Sequence, residues 1–174
     1  MDLGQRLRII SWKEYFRDVT YLADKINRDG FKPHVLVAVA RGGLVPARIL
    51  SDLLAVDLIY TITVKAYKGI EKRSTETYIL QGLEQKHVYN KIVLVVDDIV
   101  DTGETLKEVL KHIRSFKPRE VRTAVPYVKP WSKIKPDYYV KEVQEWVVFP
   151  YEMYETVREL SNPGGLTKVS ENKR

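Results

Sequence analysis

Ile92-Val93-Leu94-Val95-Val96-Asp97-Asp98-Ile99-Val100-Asp101-Thr102-Gly103-Glu104-Thr105 is the stretch that decides the fold. Its opening run of apolar residues, all β-branched except Leu94, reads as a strand buried on both faces. The run stops abruptly at Asp97-Asp98. From Glu104 to Ser115 the period becomes helical, with Leu106, Val109, Leu110 and Ile113 on one face. Acids, hydroxyls and a glycine fill the turn between strand and helix. The first amides of a helix lack intrahelical partners, and together with the helix dipole they form an anion site. Thr102 and Thr105 can add hydroxyl donors, and Gly103 lets the backbone approach a phosphate closely. At the end of a strand Asp97 and Asp98 can accept from sugar hydroxyls or hold a hard cation. Such a pocket suits a phosphorylated sugar. The plainer reading is that Asp101 or Thr102 caps the helix and the paired acids are solvated. A Walker-type phosphate loop is excluded, because Gly-Lys-Ser/Thr is missing.

Upstream, Val35 to Ala40 is a second apolar run and reads as a buried strand, broken by Gly42-Gly43 before a helix from Leu44 to Leu54. Before it, Ser11 and Glu14 have the spacing of a capping box, and Trp12, Tyr15, Phe16, Val19, Leu22 and Ile26 form the apolar face of a helix ending near Asn27 to Gly30. Leu58 to Val64 is a further strand, followed by a polar stretch, Lys65 to Thr77, that reads as a mobile loop or hairpin. Downstream, Val121 to Val128 is a strand, Tyr138 to Val140 and Trp146 to Val148 are short strands, and Tyr151 to Leu160 is a last helix. Strands alternating with helices predict an α/β domain with a mostly parallel central sheet flanked by helices. In such a sheet ligands bind beyond the carboxyl ends of the strands.

The chain has 174 residues, a net charge of +6 and no cysteine. Its length predicts one domain over residues 1–160, with a polar, poorly ordered tail at 161–174. The missing cysteine excludes a disulfide scaffold, thiol catalysis and thiolate-bound zinc. No apolar run approaches the roughly 18 residues of a membrane span, and the basic N-terminus lacks the apolar core of a secretory signal, so the expected location is cytoplasmic. The positive charge fits either an anionic small substrate or nucleic acid, but it is spread along the chain without a basic block, as on a solvated surface. The three histidines show no ligand spacing.

Residues 93–106, VLVVDDIVDTGETL, resemble the phosphoribosyl-pyrophosphate signature of the type I phosphoribosyltransferases. The resemblance spans roughly residues 10–155 and is most marked for the purine salvage branch, in particular its xanthine-guanine (6-oxopurine) members. It implies the type I fold, with a small hood and a flexible loop, and transfer of 5-phosphoribosyl to N9 of guanine, hypoxanthine or xanthine with release of pyrophosphate. Asp97 and Asp98 would hold the ribose hydroxyls, directly or through Mg²⁺. Asp101 would be the catalytic group near purine N7, and Asp101, Thr102, Gly103, Glu104 and Thr105 would cradle the 5′-phosphate, with the Glu104 carboxylate turned away from it. Ala40, Arg41, Gly42 and Gly43 would form the pyrophosphate loop, with Ala40–Arg41 cis. Lys65, Tyr67 and Arg73 belong to a flexible loop that the resemblance reads as a lid, although an exposed basic hairpin fits the residues equally. Lys129 would read the purine O6, Trp146 would stack on the base and the Val147 backbone would read its edge. Taken without the resemblance, Lys129 reads as solvated and Trp146 as core. The acid found two residues after this Trp in xanthine-guanine relatives is Val148 here, which puts a second metal contact in doubt. The resemblance further implies a homodimer or homotetramer; no membrane partner is expected without an apolar span, and the intact acidic and basic site residues with the spread charge argue against a nucleic-acid partner. An adenine-specific enzyme on the same scaffold, a nucleotide-sensing regulator that binds nucleic acid and a simple phosphosugar-binding module remain as alternatives.

Overall fold

The structure is a computed structural model and describes residues 7–68 and 75–161. The chain divides into two compact units, one of residues 16–143 and the other of residues 1–15 with 144–174.

The larger unit is built on a five-stranded sheet. Its strands are β2 (Val35–Ala40), β3 (Ile59–Lys68), β4 (Thr75–Gln81), β5 (Ile92–Val96) and β7 (Glu120–Ala124), in the order β4-β3-β2-β5-β7. All neighbours are parallel except β3 and β4. The register pairs Val35 with Val93 and Val37 with Val95, so these side chains share one face. On that face Val35, Val37, Val39, Val93 and Val95 join Leu106, Val109, Leu110 and Ile113 of helix α4 (Glu104–Ser115) in one cluster. Burying those four helical side chains contributes a gross stabilisation of about 6–12 kcal/mol. The alternate residues Leu36, Ala38, Leu94 and Val96 are equally buried, which accounts for the unbroken apolar runs of both strands. Helix α2 (Leu44–Leu54) follows β2 at once, and the short α3 (Gln85–Val88) precedes β5.

Because β2 leads outward to β3 and β5 leads the opposite way to β7, the strand order reverses between β2 and β5. A crevice opens at such a switch point beyond the carboxyl ends. The segments leaving it are 41–43 and 97–103.

A three-stranded parallel sheet lies beside these segments: β6 (Ile99–Val100), β8 (Tyr127–Val128) and β9 (Lys141–Glu142). The predicted strand 121–128 is therefore two strands in two sheets. Pro126 has no amide hydrogen and cannot continue the ladder, and its carbonyl instead accepts from the Val140 and Lys141 amides. For the same reason the expected strand at Tyr138–Val140 shrinks to a bridge between Tyr138 and Ala124. Asp18 on helix α1 (Trp12–Arg28) ties into this small sheet. It is 3% exposed and accepts from the Tyr127 hydroxyl at 2.7 Å and from Lys141 Nζ at 2.6 Å. Burial alone would raise its pKa, but the hydrogen bonds from Lys141 and Tyr127, the Lys141 charge and Arg17 outweigh it and hold the carboxyl below its usual value.

Lys65 and Tyr67 fall on β3, which extends past the expected Val64 and pairs antiparallel with β4, Lys65 opposite Tyr78 and Tyr67 opposite Glu76. The hairpin reading holds for these positions, as a sheet edge with one solvated face tolerates polar residues. Arg73, with the rest of 69–74, lies outside the described residues, as does the tail from 162.

In the smaller unit β1 (Leu7–Ile9) runs parallel to β10 (Trp146–Val148), Leu7 opposite Trp146 and Arg8 opposite Val147. Helix α5 (Met153–Ser161) follows. Tyr15, Phe149 and Tyr151 pack together, the last two rings stacked at 5.2 Å. At the expected capping box the Glu14 amide donates to Ser11 Oγ at 3.2 Å, and the Glu14 carboxylate accepts from Arg8. Trp12 and Phe16, assigned to the apolar face of α1, are 56% and 55% exposed, whereas Tyr15, Val19, Leu22 and Ile26 are buried. The apolar face is thus narrower than the pattern suggests. Among the described residues no helix is long and apolar enough to cross a membrane.

Candidate functional site at the sheet switch point

Two turns meet at the carboxyl ends of β2 and β5. The first, Ala40-Arg41-Gly42-Gly43, has a cis Ala40–Arg41 peptide, as expected. The Gly43 amide donates to Val39 O at 2.8 Å and the Leu44 amide to Arg41 O at 3.1 Å, so the turn is held by its own hydrogen bonds. Its glycines are required by contact. A Cβ on Gly43 would lie 2.7 Å from Val39 O and 2.9 Å from Val39 N, and nearer still to Val96 O. A Cβ on Gly42 would overlap the Asp98 carboxylate. Gly42 and Asp98 therefore touch, which brings the two turns together. The Arg41 side chain is exposed.

The second turn starts at Asp97. Its side chain bends back so that Oδ1 accepts from the Asp98 amide at 3.0 Å, and Asp98 is 6% exposed. Asp101 and Thr102 are exposed above Gly103, whose φ of 90° is left-handed and favours glycine there. The N-cap of α4 is Gly103 itself, with no side-chain cap; only Thr102 Oγ1, 3.4 Å from the Glu104 amide, approaches that role. The plainer reading of 97–105, in which Asp101 or Thr102 caps the helix, therefore has little support. The first amides of α4 face the turn, as an anion cradle requires. The Glu104 carboxylate pairs with Lys107 at 3.6 Å, one turn along the helix.

The β6–β8 ladder brings a third segment to this place. Val100 pairs with Val128, and the Lys129 amide donates to Val100 O at 2.8 Å, setting Lys129 beside Asp101. Lys129 is 7% exposed, so the reading of a solvated lysine fails. Its ammonium lies 5.3 Å from the ring centre of Trp131, and the indole N–H of Trp131 donates to Asp101 Oδ1 at 2.8 Å. Trp131 carries no sequence signal beyond standing two residues after Lys129, and its contact with Asp101 spans 30 positions of chain.

The larger unit thus brings together Ala40 to Gly43, Asp97, Asp98, Asp101 to Thr105 and Lys129. Trp146 and Val147 lie on β10 of the smaller unit, where Trp146 is 38% exposed and Val147 is buried. Adjacent carboxylates are the donor set expected for Mg²⁺, which is commonly held by one or two carboxylates with substrate phosphates supplying further oxygens. Among the described residues no group of three or more His, Cys, Asp or Glu converges as an all-protein metal cage. Asp97 and Asp98 fit the substrate-borne kind of site.

Comparison with known proteins agrees with this geometry. The family model described as phosphoribosyl transferase domain matches residues 8–156. A purine phosphoribosyltransferase from Pyrococcus horikoshii Ot3 is 36% identical, with a TM-score of 0.75 over 83% of this chain and 93% of that one. A hypothetical protein from Neisseria gonorrhoeae, solved with bound ppGpp, is 26% identical, with a TM-score of 0.77 over 88% and 95% of the two chains. The xanthine-guanine-hypoxanthine phosphoribosyltransferase of Helicobacter pylori is 25% identical, with a TM-score of 0.70 over 89% and 99%. With its motif, its sheet order and its family match in agreement, the chain belongs to the type I phosphoribosyltransferases.

Proposed function

We propose that the protein transfers 5-phosphoribosyl from phosphoribosyl pyrophosphate to N9 of a 6-oxopurine, guanine, hypoxanthine or xanthine, and releases pyrophosphate. The observation that carries this reading is the placement of a buried lysine, Lys129, directly beside Asp101 at the rim of the phosphate turn. A lysine ammonium only donates hydrogen bonds. It complements the carbonyl O6 of an oxopurine and opposes the 6-amino group of adenine.

The 5′-phosphate would sit on the amides at the start of α4 and the hydroxyls of Thr102 and Thr105. Asp97 and Asp98 would take the ribose hydroxyls and hold Mg²⁺, which when bound neutralises charge on the diphosphate. Arg41 and the turn at 40–43 would stabilise the leaving pyrophosphate as C1′ becomes cationic. Asp101 would accept or stabilise the proton at N7, raising the nucleophilicity of N9. Lys129 would hold the base through O6, and the roles that the resemblance gives to Trp146, stacking, and to the Val147 backbone, edge recognition, belong to the same proposal. Lys65, Tyr67 and Arg73 would serve the lid. A cytoplasmic location belongs to the same proposal, as does a homodimer or homotetramer, which rests on the family resemblance.

Pyrophosphate release measured with adenine, hypoxanthine, guanine and xanthine in turn tests it. Activity on at least one 6-oxopurine and little on adenine is expected. Activity on adenine alone would select the adenine-specific alternative. Steeply salt-dependent nucleic-acid binding with no pyrophosphate release would select the regulatory one.

A further inference from the structure

The segment 129–137 lies against the phosphate turn and is anchored at both ends. At its start Lys129 N donates to Val100 O at 2.8 Å, and further along the Lys133 amide reaches Thr102 O at 3.3 Å. Ser132 folds the segment on itself, donating from Oγ to Ile134 O at 2.7 Å while its own amide donates to Lys129 O at 3.0 Å. Ser132 and Ile134 close over Gly103, where an added Cβ would meet Ile134 Cβ at 3.1 Å and Ser132 Oγ at 3.2 Å. At the far end Asp137 and Thr123 bond reciprocally, Thr123 N and Oγ1 donating to Asp137 Oδ2 at 2.8 and 2.7 Å and Asp137 N donating to Thr123 Oγ1 at 2.8 Å.

Trp131 stands on this anchored segment and touches both Asp101 and Lys129. Its N–H takes one oxygen of Asp101, and its ring faces the Lys129 ammonium. We infer that Trp131 is a positioning residue for base recognition and turnover, fixing the Asp101 carboxylate plane through its N–H and the Lys129 ammonium through its ring. The inference rests on the function proposed above. N7 and O6 lie on one edge of a 6-oxopurine, so the groups that read them must be set at a fixed spacing. A single rigid indole in contact with both supplies it. A hydrogen bond to one carboxylate oxygen also limits rotation about the Cβ–Cγ bond and aims the other oxygen. Small losses of alignment at a reacting centre cost rate more than binding.

The test separates the two contacts. Trp131→Phe keeps an aromatic ring against Lys129 and removes the N–H. Its kcat with hypoxanthine is expected to fall about tenfold, the size set by loss of a hydrogen bond to a charged group, while KM for phosphoribosyl pyrophosphate stays unchanged. On an Asp101→Ala background the same change should have no further effect, because the group it acts through is gone. Trp131→Ala should in addition narrow the preference for hypoxanthine over adenine. A wild-type kcat for Trp131→Phe, or an equal loss on both backgrounds, would overturn the inference while leaving the proposed function in place. A wild-type protein that forms no nucleotide from any of the four bases would overturn the proposed function, and the inference with it.

Discussion

Gly42 and Gly43 are adjacent, yet alanine at each should fail in a different way. The Cβ of Gly43→Ala would press on Val39 O, Val39 N and Val96 O, all backbone atoms of the two central strands. No side chain can rotate to make room, so β2 and β5 must separate or the start of α2 must lift. Over-packing of this kind costs about 3 kcal/mol, the upper end of the usual range, because the backbone itself must move. For a chain of this length that corresponds to a fall in Tm of about 6–12 °C. The atoms nearest to the Cβ of Gly42→Ala are all at the end of the Asp98 side chain. Asp98 can swing aside at about 1 kcal/mol, or about 2–4 °C, but its carboxylate then leaves the place proposed for the ribose hydroxyls. Scanning calorimetry with initial rates of pyrophosphate release should therefore show Gly43→Ala as chiefly a stability variant. Gly42→Ala should remain folded with little activity at saturating hypoxanthine. Equal Tm losses in both, or a Gly43→Ala protein that melts with the wild type, would refute the contact reasoning.

Three further perturbations follow from the same geometry. Asp101→Asn should lower kcat by about 10²-fold or more, the usual contribution of a positioned proton acceptor, with a much smaller change in substrate affinity; unchanged turnover would remove that role from Asp101. Lys129→Met should keep the buried volume and lose the donor, so the rate ratio of hypoxanthine to adenine should fall; a preserved ratio would place O6 recognition elsewhere. Asp18→Asn removes the buried carboxylate that pairs with Lys141 and accepts from Tyr127, and should cost about 1–3 kcal/mol near neutral pH in urea unfolding. The Asp18 carboxyl titrates below its usual 3.8 in the fold, so its contribution is complete above that pH and is lost as pH falls through the folded value. The gap between wild type and Asp18→Asn should accordingly narrow as pH falls below 3.8, and a gap independent of pH would contradict the linkage.

The legible parts of the sequence were those whose own periodicity carries the structure. The apolar runs 35–40 and 92–96 became β2 and β5 at those bounds, and α2 and α4 fell at 44–54 and 104–115, since each buries a face it must encode locally. Trp146 to Val148 is likewise β10. The strands β6 and β9, with two residues each, were not legible, and β8 was legible only as the end of a single strand over 121–128. Two residues show no period, and Ile99–Val100 lies between acids that point to a turn. Yet the β6–β8 ladder is what sets Lys129 beside Asp101. Trp131 and Asp18 escaped for a related reason. An indole bonded to a carboxylate 30 residues away and an acid whose lysine lies 123 residues on are products of tertiary pairing, without a local trace. The hairpin of β3 and β4 was only half legible, because polar residues on an edge strand look like a loop.

A crystal structure of the protein with a purine nucleoside monophosphate tests the central claim most directly. The account places the phosphate on the amides of residues 102–105, the ribose hydroxyls at Asp97 and Asp98, and the base beside Lys129. A nucleotide bound elsewhere, with the turn after β5 untouched, would contradict it.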